Sequence, residues 1–136
     1  MTDILQDIHQ YSHNFTISQV VTFFERKGIS LTRSMIQNYV RDGLLPSPVN
    51  KRHYTHKHLA VLALICGLKS VYEMTDIKTV IVPLIDGEGI SLEVYKRYID
   101  QAAQLSASLN PPNTLALMAC SAGLKESVLR KLEVEA

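Results

Sequence analysis

The 136-residue sequence has no tryptophan, only two cysteines, and an aromatic share of 7%. Cys66 and Cys120 stand far apart in apolar surroundings. They supply neither a disulfide framework nor the clustered spacing of a zinc site. Long apolar runs are also missing. The longest, 59–68, is ten residues, about half of what a membrane-spanning helix needs. The opening residues, MTDILQDIHQ, hold aspartates where an export signal carries Lys or Arg. The expectation is therefore a cytoplasmic protein with no membrane association. Catalytic signatures are lacking as well: there is no nucleophile elbow, no phosphate-cradling glycine loop and no paired acid–base motif. No enzyme, catalytic residue or cofactor is expected.

The remaining composition is that of a folded protein. Hydrophobic residues make up 46% and charged residues 20%, proportions that exclude wholesale disorder. The net charge of +1 conceals an asymmetry. Residues 1–70 carry eight basic and four acidic side chains, whereas 71–136 carry six basic and nine acidic. All five histidines lie in the first half, and 26–57 alone holds seven basic residues against Asp42. One half is suited to a polyanion and the other to something else.

Hydrophobic spacing and cap residues divide the chain. Residues 1–15 read as a short N-terminal helix with Ile4, Leu5, Ile8, Tyr11 and Phe15 near helical spacing. Ser18 is placed to cap a helix that ends at Gly28, with Ile17 stapling its start. Thr32 caps a second helix over 32–42, closed by Gly43, with Ile36, Tyr39 and Val40 facing inward. Ser34, Gln37, Asn38 and Arg41 then point outward, with Arg33 on the flank. Two short helices joined by a tight turn are the skeleton of a helix-turn-helix. Pro46 and Pro48 stop further helix, and 49–54 reads as two short strands around a turn. Thr55 caps a helix over 56–70, a further helix spans about 75–84, and Pro83 disturbs its end. Asp86-Gly87-Glu88-Gly89 is a linker, Ser91 caps a helix to about 109, and Gly123 divides two last helices, 113–122 and 124–134. The stripe from Leu92 to Leu105 fits either a dimer seam or packing against those last helices.

The order helix, turn, helix, Gly43-Leu44-Leu45-Pro46, basic ribbon closing on Arg52-His53-Tyr54-Thr55, helix, helix resembles the MerR-like winged helix-turn-helix family. Thr16-Ile17-Ser18-Gln19-Val20-Val21 and Met74-Thr75-Asp76-Ile77 carry further parts of the match. The chain also resembles a bacterial family of short MerR-like proteins in which a segment like Leu31 to Tyr39 precedes Gly-Leu-Leu-Pro. These resemblances imply a mostly α fold: a winged helix-turn-helix with a small β-ribbon wing and additional C-terminal helices. They imply an N-terminal extension over 1–15, a DNA-binding domain over 16–86 and a dimerisation or partner-binding segment over 90–136. The turn between the first two helices is longer than usual for MerR regulators. Gln37-Asn38 stand where those proteins usually have Arg-Tyr; both amides can still pair with adenine edges.

The functional expectation is a transcription regulator that binds double-stranded DNA as a homodimer, with no named effector. Its contacts would come from Arg33, Ser34, Gln37, Asn38 and Arg41 on the helix, and from Asn50, Lys51, Arg52, His53 and Tyr54 on the wing. His53, His56 and His58 are expected to face solvent or phosphate rather than metal, since no cysteine or acid lies in their segment. Cys66 is expected in the core. The alternative is a protein-interaction adaptor on a winged-helix domain that has lost DNA binding.

Overall fold

The computed structural model describes residues 3–8 and 14–135. The architecture is mostly α. Among the described residues six α-helices run over Ile17–Arg26 (α1), Arg33–Arg41 (α2), His56–Leu68 (α3), Met74–Ile81 (α4), Leu92–Ser108 (α5) and Thr114–Glu135 (α6). Among the described residues no strand forms. Isolated antiparallel pairings join Phe15 with Tyr54, Val49 with His53 and Asp86 with Gly89.

The first cap is Thr16 rather than Ser18. The Gln19 amide donates to Thr16 Oγ1 at 3.2 Å, and Gln19 Oε1 accepts from the Thr16 amide at 2.9 Å. Ser18 has Val21 three residues on and so no side chain to return the bond. α1 buries Val20 and Phe24 and stops where Gly28 takes a φ of +79°. There the Ile29 amide reaches back to the Phe24 carbonyl at 2.9 Å. α2 follows as expected: Thr32 Oγ1 accepts from Met35, while Ile36 and Tyr39 turn inward. At its C-terminus Lys78 Nζ donates to the Asp42 carbonyl at 2.7 Å, a cation where the helix dipole favours one.

α3 is the centre of the molecule. Its residues from His58 to Ile65 are all buried, as a helix apolar on every side requires. α4 starts at Met74 and tightens into a 3-10 turn at Val82–Leu84, since Pro83 has no amide to continue the α pattern. The 86–89 turn, read as a linker, is fastened to α3: Lys57 Nζ donates to the Asp86 carbonyl, and the Ile90 amide donates to the Lys57 carbonyl at 3.2 Å. Ile90, Leu92, Tyr95 and Ile99 therefore join the same buried cluster as Val20, Ile36 and Leu59.

Three expectations are corrected. The described residues 3–8 form a turn, not a helix, because Asp3 Oδ1 takes the Leu5 amide and Leu5 is driven fully into the core; 9–13 lie outside the described residues. The ribbon over 49–54 shrinks to one pairing, with the Val49 amide to the His53 carbonyl at 2.7 Å. Pro48 cannot donate a further rung, and both backbone groups of Tyr54 are taken by Phe15 at 2.7 and 2.8 Å. Gly123 does not divide the last segment, which is one 22-residue helix. A helical glycine costs only about 1 kcal/mol, and its Ala, Leu, Met, Lys and Glu neighbours favour helix.

Candidate functional site

The outward face of α2 is set by its inward one. With Ile36 and Tyr39 buried, Arg33, Ser34, Gln37, Asn38 and Arg41 are all exposed. Arg33 reaches across to α1, where its guanidinium donates to Ser18 Oγ. Arg41 lies 3.8 Å from the Asp42 carboxylate, with both side chains largely solvated, a pair that holds little energy.

Beside this face, the chain reverses at 49–53. Asn50 and Lys51 both take left-handed backbone, φ +54° and +63°, and the Arg52 amide closes the turn on the Val49 carbonyl at 3.1 Å. Left-handed geometry is ordinary for Asn but costs a lysine roughly 1–2 kcal/mol. At this reversal Asn50, Lys51 and Arg52 are all exposed. A hollow of about 290 Å³ joins the two elements, lined by Ile17, Gln37, Val40, Pro48, Lys51, Arg52 and Tyr54. The structure thus brings an amide from the helix together with two cations from the turn.

Two of the expected contact residues do different work. Tyr54 is only 5% exposed; its ring meets His58 edge-on at 5.2 Å, and its backbone holds Phe15. Burial pushes its phenol upward. His53 is half-buried through its pairing with Val49. His58, expected in solvent, is fully buried. Its Nδ1 accepts from the Thr55 amide at 2.9 Å, and its Nε2 lies 3.0 Å from the Ser47 carbonyl. Burial lowers its pKa, against the opposing pull of the Ser47 carbonyl. These partners assign the neutral tautomer with hydrogen on Nε2. One imidazole therefore ties the start of α3 to the chain that leads into the turn. Sequence reasoning missed it, although a histidine three residues after a capping Thr was a visible sign of a capping box.

The family model described as Domain of unknown function (DUF1836) matches residues 5–98. The chain belongs to the DUF1836 family. No curated protein and no solved structure matches it. In this DUF1836 chain the match takes in every residue of the α2 face, the 48–54 turn and α3. It ends within α5, before most of α5 and all of α6.

The basic residues of 26–57 divide by environment. Lys27 pairs with Asp7 at 2.8 Å and lies over the Phe23 ring, and Lys57 serves the 86–89 turn. Arg26, Arg33, Arg41, Lys51 and Arg52 remain exposed. Among the described residues no three His, Cys, Asp or Glu side chains converge as metal ligands. Cys66 is half-buried, and burial raises its thiol pKa, which suits an inert core position.

Proposed function

We propose that this protein is a sequence-specific DNA-binding transcription regulator of the cytoplasm rather than an enzyme. Its N-terminal part would act as a MerR-like winged helix-turn-helix with the wing reduced to a single tight turn. In this reading α2 enters the major groove, Gln37 and Asn38 read base edges, and Arg33, Arg41, Lys51 and Arg52 meet the backbone. The observation that carries it is the hollow in which Gln37 faces Lys51 and Arg52. A base-reading amide and phosphate-binding cations must lie side by side to use one groove and its rim. The exposed polar groups on a helix narrow enough for that groove support the same reading.

The test is selection of bound fragments from genomic DNA, followed by fluorescence anisotropy on the recovered duplex. Arg41→Ala and Arg52→Ala should weaken binding with thermal unfolding unchanged, because both side chains are solvated. Failure to enrich any fragment above a variant with Arg41, Lys51 and Arg52 reversed to Glu would refute the proposal. Recovery of one stoichiometric protein with no nucleic acid would favour the adaptor reading instead.

A further inference from the structure

Past Ile99 the fifth helix leaves the core. From 100 to 127 every residue is exposed except Ala102, Pro111, Ala116 and Cys120, which are half-buried. The chain returns to the body at Val128 and Leu132, which close on Leu68, Tyr72, Ile77 and Val80. The end of α5 and most of α6 thus form an outlying arm.

Helix surface that meets only water is ordinarily rich in charge. This arm has little: Asp100 opens it and Lys125 and Glu126 close it, but residues 101–124 between them are 24 consecutive positions without Asp, Glu, Lys, Arg or His. In place of charge it shows large apolar side chains: Leu105 at 71% exposure, Leu115 at 74%, Met118 at 63% and Leu124 at 53%. The pattern is also ordered. Tyr98, Ala102 and Leu105 recur at four-three spacing along α5, and Leu117, Ser121 and Leu124 repeat it on α6. That period is the one by which helices pack side by side along their length.

We infer that the arms of two copies of this chain pack together as a four-helix bundle, making the protein a homodimer through residues 98–124. In a two-fold seam a charge either meets its own copy, at the axis, or must find an opposite charge elsewhere in the same patch on the partner, and it loses its hydration either way. A surface free of charge escapes that cost. An acidic or basic partner would find no complement here, and a helix that lies on an anionic membrane carries Lys or Arg on its polar face. The size also fits, since a stable interface takes roughly 20–30 residues from each partner. The inference does not depend on what the α2 face binds.

Sedimentation equilibrium of the full chain tests it. Wild type should sediment at twice the 15.2 kDa chain mass. Leu105→Glu combined with Leu124→Glu should give a monomer with unchanged helicity by circular dichroism, because both side chains are solvated in the single chain. Val134→Glu, at an exposed residue outside the arm, should leave the dimer intact. A monomeric wild type, a doubly substituted chain that remains dimeric, or dissociation by Val134→Glu would each overturn the assignment.

Discussion

Lys51→Gly separates the function of the 49–53 turn from its stability. Lys51 holds φ +63°, a conformation that costs a side-chain-bearing residue roughly 1–2 kcal/mol and costs glycine nothing. Glycine gives back about 0.5–1 kcal/mol through the greater freedom of the unfolded chain. The balance is a gain of about 0–1.5 kcal/mol. Lys51 is exposed, so no packing is lost with its side chain. If the turn meets DNA as proposed, duplex binding should move the other way, because one phosphate contact would disappear and the slope of log affinity against log salt would become shallower by about 0.9. Lys51→Ala removes the same contact while keeping the strain, so it should match the glycine variant in binding and fall below it in urea midpoint. A glycine variant less stable than wild type would refute the strain at Lys51, and one whose salt slope is unchanged would refute the assignment of Lys51 to the interface.

Other outcomes follow from the same geometry. Gln37→Ala should relax preference at one or two base positions, at about 1–3 kcal/mol of discrimination, whereas Arg52→Ala should weaken all duplexes alike; selection on randomised sites separates the two. His58 has a folded-state pKa lowered by burial, so the unfolded chain takes up a proton first as pH falls. Stability should hold above the ordinary imidazole value near 6.5 and decline below it, until the folded ring itself titrates. His58→Gln, which keeps an acceptor for Thr55 and a donor for Ser47, should flatten that decline in urea melts over the same range. An equally steep decline in the variant would show that other groups cause it.

Much of the helical framework was legible because its signals are local. Thr32, Thr55 and Ser91 each cap the helix that their hydroxyls announce, and Gly28 and Gly43 end helices in left-handed backbone. The exposed face of α2 followed from the positions of Ile36 and Tyr39 alone. Distant partners decided the failures. Thr16 and Ser18 are both good caps, and the Gln19 side chain chose between them. The ribbon was lost to Phe15, some forty residues away in the chain, which claims Tyr54. His58 went inside because Ser47 offered its ring a carbonyl. The Leu92–Leu105 stripe contained two faces: Leu92, Tyr95 and Ile99 turn into the core, while Tyr98 and Leu105 turn out. Periodicity cannot tell a helix's own core from another molecule's.

The first turn of α3 connects the two surfaces. His58 and Tyr54 hold the chain entering the 49–53 turn, and the neighbouring Lys57 holds 86–90, from which α5 departs. Gly89 is the tight point of that clasp. A Cβ built there would stand 2.2 Å from the Lys57 carbonyl oxygen, so Gly89→Ala must drive two backbones apart. The displacement breaks the Ile90 bond to Lys57 and leaves a buried donor unpaired, which costs about 1–3 kcal/mol. Strain at a φ of +157° adds about 1 kcal/mol or more, so the total is roughly 3 kcal/mol. Gly123→Ala supplies the contrast: nothing lies within 4 Å of its Cβ, and it should stabilise by up to about 1 kcal/mol. If the arms join two chains, a sound clasp fixes the separation of their α2 faces and selects one half-site spacing. Gly89→Ala should then lower the urea midpoint and broaden the spacings accepted, while leaving each half-site sequence unchanged. Wild-type stability and a single retained spacing in that variant would mean that the faces are positioned by something other than this turn.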